Sequence, residues 1–289
     1  MRKWEQRFGF PRPLRAESGQ REYCDSDVRT LHEISRRIAA GERVGKVIPE
    51  LVRAGPSGET TVFELTSSGP VADGIRAMLA ALQAHQVPKL TTLLEKERKN
   101  RSMLDFVEEI AAPLTYMVGE EWARGALPVH AEHLYSSVLE SFLSREASRL
   151  MGDMRKPAIL LTTPAGELHT LGLAMVHAAV SEAGISSLQL PESLPLGEIV
   201  KAAEAYRVAA VGLSASCHYP PRLLGPLIRQ LRASLPADTA LWLGGAGMAK
   251  ISNLPAGTMD LSSMNQLRDA LQSRMFLDRS SKRTTKATG

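Results

Sequence analysis

Residues 156–184 read KPAILLTTPAGELHTLGLAMVHAAVSEAG, and they decide the fold. The apolar run Ala158–Thr162 has the length and β-branched flank of a buried strand, and Leu168–Ala183 repeats its apolar residues at helical spacing. Between them lies Gly166-Glu167-Leu168-His169-Thr170-Leu171-Gly172. A loop at the carboxyl end of a strand is where open α/β sheets bind ligands. An imidazole is a good transition-metal ligand when one nitrogen is unprotonated. A carboxylate two residues earlier can accept from its other nitrogen and fix the tautomer. Gly172 removes bulk from the first turn of the helix, so a large flat ligand can approach.

Outward from this stretch the same alternation continues. Strands are predicted at Ser187–Leu190, Ala209–Leu213 and Ala240–Leu243, with helices at Leu196–Tyr206 and Leu223–Leu235 between them. Alternating strands and helices of these lengths predict a Rossmann-like α/β domain with a parallel sheet over residues 156–275. Upstream, over 71–152, four apolar stripes predict a four-helix bundle. They are Ile75, Met78, Leu79 and Leu82; Leu90, Leu93 and Leu94; Leu104, Val107, Ile110 and Ala111; and Leu134, Val138, Leu139 and Phe142. Residues 52–70, rich in Gly, Pro, Ser and Thr, read as a linker. Residues 1–51 form a further block, with a helix carrying Val28, Leu31, Ile34 and Ile38. The polar, basic tail 277–289 is expected to be disordered.

The chain has 289 residues, 44% hydrophobic and 23% charged, with a formal charge of +4. That is an ordinary soluble composition of several domains, with few aromatics at 5%, and no internal repeat is found. Its two cysteines, Cys24 and Cys217, fall in different blocks, which argues against a disulfide framework and for a cytoplasmic location. No apolar run approaches the ~20 residues of a membrane span. The positive charge is concentrated in Arg2, Lys3, Arg7, Arg12, Arg15 and Arg21, against Glu5 and Glu17.

The order E-x-H-x-x-G after the first strand, Ser214 in GLSAS after the third, and Gly244-Gly245 after the fourth resembles the cobalamin-binding domain. That family's signature is D-x-H-x-x-G, then S-x-L or S-x-T, then G-G. The resemblance implies that His169 is the lower cobalt ligand and Glu167 its hydrogen-bonding partner. Ser214, Gly244 and Gly245 would flank the displaced nucleotide tail. Glutamate is one methylene longer than the family's aspartate, so a looser bond to His169 is expected; the serine element also departs, reading S-A-S.

A helical bundle before such a domain is itself a family pairing. Trp122, separated by nine residues from Glu132-His133, resembles the W-x9-E-H motif of adenosylcobalamin-dependent light-responsive repressors. By that resemblance Trp122 and Glu132 cover the adenosyl group, and His133 is the upper cobalt ligand after photolysis. RKWEQRFGFPRPLRAESGQREY resembles the later half of a MerR-type winged helix-turn-helix. Arg2, Arg7, Arg21 and Tyr23 would then be DNA-binding residues that meet phosphates. The family's first helices would precede Met1, so this part is expected to be an N-terminally truncated remnant without a core of its own.

The resemblance implies a B12-dependent, light-sensing MerR-type repressor that is not an enzyme. It would bind adenosylcobalamin and operator DNA and self-associate to a dimer or tetramer. The alternatives are a corrinoid methyl-carrier protein, a bilin- or haem-binding sensor using Cys217 or His218, and a regulator that keeps the fold without a cofactor.

Overall fold

The structure, a computed structural model, describes Phe10 and residues 14–15, 21–22, 31, 34, 37–38, 42–54, 69–151, 158–217, 219–251 and 253–273. Its first elements are the short antiparallel strands β1 (Leu14–Arg15) and β2 (Arg21–Glu22), followed by helix α1 (Val44–Ala54). Phe10, Leu31, Ile34, Val47 and Ile48 are buried together, with Ile38 and Val44 against them. The N-terminal block therefore does have a small apolar cluster, contrary to expectation. Helix α1 also runs into the predicted linker, reaching Ala54 even though Pro49 lies within it.

The bundle comprises α2 (Pro70–Gln83), α3 (Val87–Lys99), α4 (Met103–Phe106), α5 (Ala112–Ala123) and α6 (Val129–Met151). Pro70 starts α2 at a position where a missing N–H costs nothing. Ser102 caps α4 by accepting from the Asp105 amide at 3.1 Å. Between α4 and α5, Val107–Ala111 form a π-helical turn, in which the Ala112 amide donates to the Val107 carbonyl. Pro113 explains it: the ring has no N–H and crowds the carbonyl four residues back, so the helix widens there. The third predicted stripe thus belongs to one helical run that changes its hydrogen-bond pattern midway.

The buried face of α6 also differs from the predicted stripe. It runs Ala131, Tyr135, Leu139, Phe142, Leu143 and Ala147, while Leu134 and Val138 are only half-buried. Helix α6 packs against the bundle on one side and against α7 (Leu171–Glu182) on the other, so its buried face is centred between the two.

The second half alternates β3 (Ile159–Thr162), α7, β4 (Ser187–Gln189), α8 (Leu196–Tyr206), β5 (Ala210–Ser214), α9 (Pro221–Ser234), β6 (Ala240–Gly244), β7 (Thr258–Asp260) and α10 (Met264–Ser273). The strands form one parallel sheet of order β4-β3-β5-β6-β7. Successive side chains alternate between its faces. Ile159, Leu161, Ala210, Ala240 and Trp242 face α7, α10 and the bundle in one continuous core. Leu160, Val211, Leu213, Leu241 and Leu243 face α8 and α9 in another. Strand β7 and helix α10 were not predicted. Strand β7 has only three residues, none fully buried, too short to show a period.

Polar links seal the bundle to the sheet. Glu182 at the end of α7 accepts from Arg98 Nη2 at 2.7 Å and from the Met103 amide at 2.6 Å. Arg98 also faces Glu146 at 3.6 Å, and Arg268 of α10 reaches Asp105 at 2.8 Å. Glu182→Ala leaves the mostly buried Arg98 with only the Arg101 carbonyl and the more distant Glu146, and Met103 without its acceptor. We expect a loss of about 1–3 kcal/mol in urea unfolding, reduced from the buried-pair range because Glu182 is partly exposed. A loss below about 0.5 kcal/mol would show that the link contributes no stability.

Candidate functional site

The loop after β3 is built before any ligand is considered. Gly166 turns at φ +86°, a left-handed conformation that suits glycine. Its amide donates to Ser193 Oγ at 2.8 Å, and the Ser193 amide donates to Thr163 Oγ1 at 3.0 Å. The Thr163 hydroxyl in turn donates to the Glu167 carbonyl at 2.8 Å. These bonds hold residues 166–170 out of the helix. That is why α7 begins at Leu171, three residues later than its apolar spacing suggests.

Glu167 is 3% exposed and makes four hydrogen bonds. Its Oε1 accepts from the His169 amide at 2.9 Å and pairs with His169 Nδ1 at 2.6 Å. Its Oε2 accepts from the Ser216 amide at 2.8 Å and the Ser216 hydroxyl at 2.7 Å. Burial alone would push this carboxyl up, but the donors from His169 and Ser216 outweigh it and hold it down at about 2. The expectation of a loose bond to His169 is therefore corrected: the extra methylene does not lengthen it.

The His169 side chain is 61% exposed. With Nδ1 donating to the carboxylate, the ring's lone pair lies on Nε2, the tautomer that a metal ligand requires. Ser214 Oγ lies 3.7 Å from where a Cβ on Gly172 would stand and 3.0 Å from where one on Gly245 would. The sheet thus brings Glu167, His169, Gly172, Ser214 and Gly245 to one end. Gly244 has ordinary space, its nearest neighbour to a Cβ being the Leu261 carbonyl at 3.5 Å. Gly245, at φ +87°, and Gly247 do not: a Cβ on either would come within 2.5 Å of the Ala215 or Ser216 carbonyl.

The bundle residues form a second group. Trp122, near the end of α5, is partly buried against the core. Glu132 and His133 lie in the first turns of α6, with Glu132 Oε2 at 2.9 Å from His133 Nδ1 and Oε1 accepting from Ser136 at 3.0 Å. His133 is 75% exposed. Seven residues further, Glu140 accepts a hydrogen bond from Thr170, the neighbour of His169. Seven residues return a helix to within about 20° of the same direction, about 10 Å along its axis. His133 therefore lies on nearly the same face of α6 as Glu140. Arg2, Arg7, Tyr23 and His218 lie outside the described residues; Arg21 belongs to β2, and Cys217 is an exposed free thiol.

The sequence reading missed Ser216, Gly247, Thr170 and Glu140. The second serine of GLSAS was the one available signal for Ser216. The described residues contain no cluster of three or more His, Cys, Asp or Glu side chains able to hold a metal ion. No described helix is long and apolar enough to cross a membrane.

Two predictions test this construction. In Glu167→Gln the new amide turns its NH2 toward the Ser216 donors or toward His169. The parent's advantage should be complete above the ordinary carboxylate value of 4.5 and fall away as the pH drops toward 2, because the folded-state value is the depressed one. Urea titrations at pH 7 and pH 3 check this, and a pH-independent gap would contradict it. Gly245→Ala should destabilise by at least ~2 kcal/mol through the carbonyl clash. Gly244→Ala should unfold within ~1 kcal/mol of the parent.

Residues 75–145 match the B12 binding domain family. The chain is 28% identical to the HTH-type transcriptional repressor CarH of Myxococcus xanthus over 85% of its own length and 83% of the relative's. It is 26% identical to the HTH-type transcriptional repressor CarA of the same organism, over 86% of its length and 81% of that protein's. In fold it is similar to the Methanosarcina barkeri monomethylamine corrinoid protein, at a TM-score of 0.52 and 15% identity, covering 68% of this chain and 96% of the other. Over most of its length the chain thus resembles HTH-type transcriptional repressors, and its helical bundle matches the B12 binding domain family.

Proposed function

We propose that the protein is a transcriptional repressor whose DNA binding is governed by a cobalamin held between the bundle and the sheet. The observation that carries this reading is the exposed imidazole of His169, anchored through Nδ1 to a buried carboxylate. Such an imidazole presents Nε2 to a metal delivered by a larger ligand.

The surroundings fit a corrinoid. Gly172, Ser214 and Gly244 leave small side chains beside β5 and β6, where a long, thin group can enter. Glu167 keeps His169 in one tautomer and one orientation, and Ser216 keeps Glu167 ionised. On the opposite side Trp122 offers a flat apolar surface, Glu132 a carboxylate and His133 a second imidazole. Adenosylcobalamin, when bound, supplies a cobalt–carbon bond that light breaks. Trp122 and Glu132 would cover the adenosyl side, and His133 is the imidazole the bundle offers there once that side is open.

The basic N-terminal segment, including Arg2, Arg7, Arg21 and Tyr23, would contact operator phosphates. Self-association to a dimer or tetramer would set how many such segments meet the DNA. Light then acts by removing contacts that favour one arrangement over another. A corrinoid methyl carrier could use the same bundle and sheet, but the relatives matched over most of the chain are repressors.

The test mixes the full chain with adenosylcobalamin in darkness and compares absorption, hydrodynamic size and operator retardation before and after green light. Coloured protein that shifts DNA in darkness and releases it after illumination is expected. His169→Ala should weaken cofactor retention at least about tenfold, the loss of one coordinate bond in a site otherwise unchanged. A protein that stays colourless, or a His169→Ala variant that retains cobalamin like the parent, would overturn the reading.

A further inference from the structure

Thr170 occupies the N-cap of α7, yet its side chain makes no capping hydrogen bond to that helix. A threonine there ordinarily accepts from an amide of the first turn. Here the hydroxyl donates to Glu140 of α6 instead. The Glu140 carboxylate consequently lies beside the positive end of α7, where a negative charge is favoured. The bond joins two elements that the site needs at a fixed separation. One end adjoins His169 and stands two residues before Gly172. The other lies on the helix, and on nearly the same side, as His133.

We propose that the Thr170–Glu140 hydrogen bond is the link through which the His169 loop and the bundle sense each other. It sets the height of the bundle above the loop. Glu140 and Thr170 are positioning residues, and the inference rests on the cobalamin reading above. Its chemistry makes a specific demand. A cobalamin with a large upper group must fit both the loop and the bundle at once. One with a small upper group needs the loop alone. Loosening the link should therefore penalise adenosylcobalamin more than cyanocobalamin.

The experiment has two parts. In the cofactor-free full chain, a double-mutant cycle of Thr170→Val and Glu140→Leu is followed by urea unfolding. The unfolding constants should depart from additivity by about fivefold or more, as expected for side chains that bond directly. Dissociation constants for adenosylcobalamin and cyanocobalamin are then measured in darkness. Thr170→Val should weaken adenosylcobalamin about tenfold and cyanocobalamin less than about threefold, because only the first spans both elements. Thr170→Ser, which keeps the hydroxyl, should restore the parent ratio. An additive cycle, equal weakening of both cobalamins, or no rescue by serine would overturn the inference while leaving the cofactor reading intact. A parent protein that binds neither cobalamin would sink both.

Discussion

The buried carboxylate of Glu167 is the constraint on which this site depends. A charge removed from water is costly unless donors surround it. Here the donors come from His169, two residues away, and from Ser216 in the loop after the neighbouring strand β5. The carboxylate therefore ties the loop after β3 to the loop after β5, and the imidazole follows from that tie. Without it, an exposed histidine would be one rotamer among several. With it, the ring has a fixed tautomer and direction before any ligand arrives.

The same economy shapes the rest of the sheet's upper end. The β6 loop comes so close to the β5 loop that Gly245 and Gly247 cannot carry a Cβ. The Gly247 amide donates to the Ala215 carbonyl at 2.9 Å, which makes the approach a bonded one. These glycines have a packing reason that stands apart from ligand binding. Gly172 and Gly244 lack such a reason, since a Cβ on either would stand in ordinary van der Waals contact.

Much of this was legible in the sequence, and the failures have physical causes. The alternation of period two and period 3.6 gave the parallel sheet, since buried strands and amphipathic helices bury different sets of residues. Glu167 and His169 were legible because their spacing is local. Ser216 was not, because its partner lies 49 residues away and only the strand order brings them together. The buried face of α6 was read only in part: Leu139 and Phe142 are buried, Leu134 and Val138 only half so. Periodicity finds the largest apolar side chains, whereas a helix wedged between two layers also buries Ala131 and Ala147. The π-helical turn in the run from Met103 to Ala123 was not legible because one proline changes hydrogen bonding without disturbing the apolar pattern.

Helix α7 lies between α6 and the sheet within a single apolar core. The bundle is consequently no hinged lid resting on a wet surface. Lifting it away would strip hydrocarbon from both α6 and the strands beneath α7, whereas gliding sideways keeps most of that surface dry. Packed helices that slide by small steps are a known mode of domain motion. A displacement of the bundle that leaves this core covered would be a shear between α6 and α7, at right angles to the direction a cap would open.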